Sequence, residues 1–226
     1  MVFPIGDENI KGSSKPWLTY VLIGINIIIF FLMFILPEGG LIGVYDMYAT
    51  TPTEIMSGEE YYTLMTNMFL HGGIMHLAGN MLFMWIFADN IEILLGKVYF
   101  LAFYLAGGIF ASVAHVAFNM SSDIPSLGAS GALAAVMGAY LVFFPKSKVK
   151  VIVLILFRNM HISAIWFLGI WFATQLYSSI SEFGSDPDAG GTAWMAHIGG
   201  FVFGVAIAFL LKKSKLVNPD KYRVVA

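Results

Sequence analysis

Two residues in this chain have the types that nucleophilic catalysis needs. Ser130 stands in Gly128-Ala129-Ser130-Gly131 at the start of an unusually short apolar segment, and His197 lies inside the last apolar segment. A serine hydroxyl is a weak nucleophile until a base within hydrogen-bond reach takes its proton, and an imidazole is the usual base. His76 and Asn80 are four residues apart, so they share one helical face. Such side chains can donate hydrogen bonds to a developing oxyanion in a water-poor site. Each of these residues also has a plainer reading. Ser130 can be an N-cap in a tight turn, and His197, His76 and Asn80 can each bond to a neighbouring helix. His71, His115 and His161 read as structural.

The elements that position these residues follow from composition. Of the 226 residues, 58% are hydrophobic and only 12% charged, against roughly 25% charged in soluble domains. Apolar runs of about 20 residues recur, each long enough to cross a hydrocarbon core roughly 30 Å thick. The pattern predicts an all-α polytopic membrane protein. Six spans are expected, at about 17–36, 74–95, 98–118, 130–144, 162–180 and 193–211. The apolar stretch 149–157 reads as a re-entrant or interfacial connection. The absence of cysteine excludes disulfides, thiolate metal sites and a cysteine nucleophile. Met1 to Lys15 carries Asp7 and Glu8 without an apolar core, so no cleavable signal is expected.

Charge sets the orientation. Lys11, Lys15, Lys97, Lys146, Lys148, Lys150, Arg158, Lys212, Lys213, Lys215, Lys221 and Arg223 all fall on one side of a six-span alternation. The positive-inside rule makes that side, with both termini, cytoplasmic. The opposite loops carry acids such as Glu38, Glu60, Asp123 and Asp186. The chain then divides into a short cytoplasmic segment 1–16, a membrane domain 17–211 and a basic cytoplasmic tail 212–226. Within the membrane domain, the outer loop 37–70 contains Thr51-Pro-Thr-Glu54 and Ser57-Gly-Glu-Glu60. Both have the capping-box pattern of a helix start. The aromatic and methionine-rich run after Ser57 reads as amphipathic helices on the outer membrane surface.

The fourth span bears on the chemistry. About 15 residues give roughly 22 Å, short of a full crossing. Pro145 and Lys146 hold its cytoplasmic end, so Ser130 drops below the outer surface, near the depth of His197. Free N–H groups at that helix start suit an oxyanion. Ala196, Gly200, Gly204 and Ala208 form a small-residue stripe beside His197, and span four offers Gly131, Ala134, Ala135, Gly138 and Ala139. Stripes of this kind let helices approach closely, and pairing four with six brings His197 to Ser130. Asp89 and Glu92 lie near the cytoplasmic end of span two, too far to orient His197. A Ser–His dyad is expected rather than a triad.

Together these motifs resemble the rhomboid intramembrane serine proteases. Phe69-Leu-His71-Gly-Gly-Ile-Met-His76-Leu-Ala-Gly-Asn80 is similar to the family's second span with its His-x-x-x-Asn. Gly128-Ala-Ser130-Gly131 is similar to the catalytic Gly-x-Ser-Gly, and Ala196-His197-Ile-Gly-Gly200 to the final span. The resemblance implies a six-helix rhomboid-like bundle with Ser130 as nucleophile and His197 as base. It implies His76, Asn80 and the Ser130 N–H as oxyanion donors. Substrates would be transmembrane proteins cut near the outer face, with span five and the cap loop 181–192 as lateral gate and cap. Two positions depart from the family: Tyr62-Thr63 stands where many members carry Trp-Arg, and Ala134 where some carry a tyrosine that stacks on the histidine. The resemblance therefore names nothing to hold the His197 ring.

The expected activity is an endopeptidase in the cell membrane, with no metal or organic cofactor and no nucleic-acid partner. Two rivals use the same residues differently. One is a catalytically silent rhomboid-like protein that binds membrane-protein clients. The other is a proton-coupled transporter with a histidine relay, which the lack of a mid-membrane carboxylate and of an inverted repeat argues against.

Overall fold

The computed structural model describes residues 2–10, 15–153, 158–182, 193–217, 219 and 224–225. Most of the expected cap loop 181–192 lies outside them, as do Lys11, Lys221, Arg223, Asp186 and Asp188. Helix α1 (Trp17–Phe34) starts directly after Pro16 and buries a single stripe, Thr19, Leu22, Asn26, Phe30 and Met33. Its opposite face is equally apolar, with Ile28, Phe31 and Leu32 exposed, as a lipid-facing helix requires. An internal carboxylate caps it. Glu92 of α5 (Ile74–Leu95) accepts bonds from Leu18 N at 3.0 Å, Thr19 N at 2.6 Å and Thr19 Oγ1 at 2.7 Å. Those first-turn N–H groups have no partner within the helix, and a negative charge there also suits the helix dipole.

Helix α5 turns directly into α6 (Lys97–Phe118) through Gly96, whose φ of +81° favours a residue without Cβ. Helix α7 (Ser130–Phe143) runs through the centre, buried at every position from Gly131 to Tyr140. Helices α5, α6, α8 (Ala164–Glu182) and α9 (Trp194–Lys213) surround it. Helices α1, α5, α6 and α9 are long and apolar enough to cross a membrane. Helix α7 is too short, and α8 has 19 residues with a more polar second half.

The connection after α1 forms three short helices, α2 (Glu38–Tyr48), α3 (Pro52–Met56) and α4 (Thr63–Thr66), followed by a 3-10 turn at Asn67–Phe69. Thr51 does precede a helix, with Pro52 in its first turn. Ser57 does not. It ends α3, its hydroxyl bonding back to Glu54 O at 2.8 Å. Positive φ values at Gly58 (+89°) and Glu60 (+51°) then turn the chain before α4 begins, so the second capping-box expectation is corrected.

A larger correction concerns the all-α expectation. The protein is mostly helical, but β1 (Val2–Gly6), β3 (Lys148–Val153) and β4 (Arg158–Ser163) form an antiparallel sheet in the order β1-β3-β4. Val151 pairs with Pro4 and Met160, and Lys150 with Gly6 and His161. The stretch expected as a re-entrant or interfacial connection is thus a strand as far as Val153; residues 154–157 lie outside the description. Its alternation explains this. Val149 and Val151 are buried while Lys148 and Lys150 face out, the period of two that a half-buried strand shows.

The N-terminal segment is correspondingly fixed. After β1, the short strand β2 (Asn9–Ile10) pairs with β5 (Val224–Val225). Asn90 of α5 accepts from Ile10 N at 3.0 Å and donates to Asp7 Oδ2 at 2.9 Å. Asp7 Oδ2 also accepts from the Tyr140 hydroxyl near the end of α7. Burial, reinforced by the neighbouring Asp89 carboxylate, raises Asp7 to about 8.

Candidate active site

Small residues set the geometry of the site. A methyl group at Gly204 of α9 would lie 1.9 Å from the Ala135 carbonyl oxygen of α7. One at Gly138 of α7 would lie 2.3 Å from the Phe201 carbonyl. The two helices therefore pack backbone to backbone. Their upper ends bring Ser130 Oγ to 2.8 Å from His197 Nε2, hydrogen-bond distance. Ser130 is the first residue of α7, and that helix has no side-chain cap bond. Its hydroxyl bonds the imidazole instead of capping the helix.

The loop before Ser130 is held from both sides. Thr50 and Ser126 form a two-way bridge, N to O at 3.0 and 2.8 Å. Gly128 N donates to Asn67 O at 2.9 Å. The Asn67 side-chain amide in turn donates to Thr50 Oγ1 at 2.5 Å and to Ser112 Oγ of α6 at 2.8 Å. Gly128 has φ +127°, and a methyl there would meet His76 Nε2 at 2.7 Å with Asn80 Nδ2 at 3.6 Å. Only glycine fits both the conformation and the space. His76 and Asn80 therefore flank the turn that presents Ser130.

Asn80 is 7% exposed, and its Nδ2 has no hydrogen-bond partner among the described residues. A buried donor left unpaired costs about 1–3 kcal/mol, and this one lies beside the turn leading to Ser130 and the free N–H groups of the first turn of α7. Buried His71 packs edge to face on His76, ring centroids 5.1 Å apart. Burial, with the neighbouring His76 adding to it, lowers His71 to about 4, so this ring is neutral at ordinary pH. A cavity of about 20 Å³ opens beside Ser130, lined by Asn67, Ser112, Ser126 and Gly128. That is room for about one water molecule among polar groups.

The group against the other face of His197 was not read from the sequence. His197 Nδ1 lies 2.8 Å from Gln175 Oε1 of α8. The Trp171 ring, one turn earlier on α8, sits 5.9 Å from the imidazole, and Trp194 meets it edge to face at 6.1 Å. These two rings are the aromatic contacts that His197 makes among the described residues. A glutamine in an apolar helix is the available signal, and it carries no charge to mark it. His115 bonds Asn119, ring to amide, at 3.3 Å. His161 lies exposed on β4. Asp89 and Glu92 belong to the opposite end of α5, where Glu92 caps α1.

Comparison with known proteins adds to this geometry. The family model for the Rhomboid domain matches residues 58–214. The chain is 34% identical over 201 residues to Rhomboid protease GluP of Bacillus subtilis (strain 168), covering 88% of this chain and 36% of that protein. It is 27% identical over 205 residues to Rhomboid protein 1, mitochondrial, of Saccharomyces cerevisiae, covering 87% and 54%. A shorter match, 33% over 93 residues, joins it to Presenilin-associated rhomboid-like protein A, mitochondrial, of Danio rerio, covering 40% of this chain and 24% of the relative. The chain thus spans between a quarter and about half of the length of these relatives.

Proposed function

Because this chain belongs to the rhomboid family, we propose that it is an intramembrane serine endopeptidase with Ser130 as nucleophile and His197 as general base. It is a multi-pass membrane protein. The observation that carries the proposal is the 2.8 Å contact between Ser130 Oγ and His197 Nε2 at the start of a short, enclosed helix.

In the mechanism, Ser130 Oγ attacks the scissile carbonyl carbon while its proton passes to His197 Nε2. The carbonyl oxygen becomes an oxyanion that Asn80, His76 and the N–H groups opening α7 stabilise. The tetrahedral intermediate collapses as His197 returns the proton to the leaving amine, leaving an acyl-enzyme on Ser130. Water then attacks the ester with His197 again as base, releasing the new carboxyl terminus. A hydrogen-bonded base supplies what the serine lacks, so no third ionised group is required.

The substrates are transmembrane proteins, cut near the outer face of the bilayer. Six segments span it, the short α7 and the more polar α8 completing the set, and both termini are cytoplasmic. The support for that orientation is the placement of all basic residues on one side of a six-span alternation. The membrane is the cell membrane; mitochondrial proteins among the relatives make fractionation the direct check.

Fluorophosphonate labelling of the purified protein tests the reaction. Wild type is expected to label, and Ser130→Ala and His197→Ala to lose labelling while keeping their thermal transitions. A folded wild type that fails to label in lipid would replace this proposal with a silent client binder.

A further inference from the structure

The imidazole of His197 is held at both nitrogens, Nε2 by Ser130 Oγ and Nδ1 by Gln175 Oε1, each at 2.8 Å. The amide of Gln175 is itself oriented by its own helix. Its Nε2 donates to the Trp171 carbonyl at 3.2 Å and to Thr174 Oγ1 at 3.1 Å. That leaves Oε1, which can only accept, for the imidazole. An acceptor at Nδ1 places the imidazole proton there and leaves the Nε2 lone pair facing the serine hydroxyl. This is the tautomer a general base requires.

Among the described residues, the remaining ionisable groups near the ring are His76 of α5 and His115 of α6, and neither is an anion. Among the described residues, Gln175 is the acceptor that Nδ1 has. It is brought by α8, which packs Phe167, Trp171 and Phe172 against the core. Ala164, Leu168 and Gln175 are buried on α8, while Ile165, Trp166, Ile170 and Tyr177 are exposed. The Ala164 end is tied to the loop after α7 through Ala164 N to Ser147 O at 2.7 Å and Ile165 N to Pro145 O at 3.1 Å. Gln175 lies three turns further along.

We propose that Gln175 is a positioning residue that selects the base tautomer of His197. This rests on the Ser130–His197 reading and adds to it the group that fixes the imidazole proton.

Two readouts on the full chain test this. The first is the rate of fluorophosphonate acylation, with thermal unfolding measured alongside. Gln175→Leu, close in size and unable to accept, is expected to slow acylation roughly 100-fold, less than the roughly 10,000-fold of a wrong tautomer in a serine protease with a triad aspartate. Gln175→Glu keeps an accepting oxygen and is expected to recover most of that rate. The second readout needs no activity. Nitrogen-15 spectra of labelled histidine should show one imidazole with Nδ1 protonated and Nε2 bare, and Gln175→Leu should abolish that signature.

Wild-type acylation retained in Gln175→Leu would overturn the proposal and leave the dyad intact. Equal losses in the Leu and Glu variants, matched by equal losses of melting temperature, would also overturn it, since they report packing alone. An unlabelled wild type that nevertheless shows the Gln175-dependent tautomer would sink the protease reading and support the positioning role.

Discussion

Gly200 of α9 faces the backbone of Gly131 on α7 so closely that a methyl group there would stand 2.1 Å from the Gly131 carbonyl oxygen. Gly131 adjoins Ser130, and Gly200 lies three residues beyond His197, so this contact fixes the spacing of the serine and the imidazole. Gly200→Ala pits two effects against each other. In an open helix, alanine gains about 1 kcal/mol over glycine. Here a backbone oxygen cannot yield, and overpacking costs about 1–3 kcal/mol or more. The contact wins, so Gly200→Ala is expected to lower the melting temperature in detergent and slow serine labelling together. Gly169→Ala on α8, with nothing among the described residues within 4 Å of its would-be methyl, is the control: the melting temperature should hold or rise and the labelling rate should not change.

Asn80→Ala is expected to separate the proposed catalysis from stability. The Asn80 Nδ2 has no partner among the described residues, so Asn80→Ala removes an unsatisfied donor there rather than a hydrogen bond. Stability should hold within about 1 kcal/mol, since removing an unsatisfied buried group offsets lost packing. Turnover of a transmembrane substrate should fall roughly 100- to 1,000-fold if the amide binds the oxyanion. Steady-state cleavage set beside thermal unfolding checks this, and parallel losses in both would return Asn80 to a packing role.

The parts legible in the sequence were those with a local cause. The expected span at 74–95 has the same bounds as α5, and Ser130 was expected to open a short helix and does. Apolar runs bounded by glycine, proline and lysine carry that information. The small-residue stripes also pointed to α7 against α9, because close approach needs only the absence of side chains. Three features were not legible for want of a local signal. Strand β1 finds its partner about 150 residues away, and nothing in Val2–Gly6 names β3. Helix α2 contains Gly39, Gly40 and Gly43, which weaken any helical reading. Gln175 is one of several polar residues in the second half of α8, and its meaning depends on which residue of α9 lies opposite.

Glu92 is expected to matter for folding rather than for chemistry. Its carboxylate accepts three bonds that open α1, and Glu92→Gln turns one end of the acceptor into a donor facing donors. A loss of about 1–3 kcal/mol is expected from the unpaired groups, seen as a lower melting temperature. Acylation of the fraction that remains folded should keep its wild-type rate, because α1 carries none of the proposed site residues. A slowed rate in folded protein would instead make α1 part of the active site's support.

Asp7 gives the protein a pH dependence of unusual sign. Its carboxyl rises from 3.8 to about 8 on folding, chiefly through burial and then through Asp89. A raised folded value means the native state holds a proton that the unfolded chain has released. The stabilisation is complete below pH 3.8, declines as pH rises from there, and is lost through about 8. Asp7→Asn keeps an accepting oxygen for Tyr140 and Asn90 and removes the titration. Melting temperature should therefore fall between about pH 4 and about 8 in wild type and fall less in Asp7→Asn. Hydrogen exchange of the β1 amides should rise over the same range in wild type, since Asp7 directly follows that strand and ties it to the end of α7. Identical profiles in the two proteins would show that the ionisation of Asp7 does not hold the N-terminal segment in place.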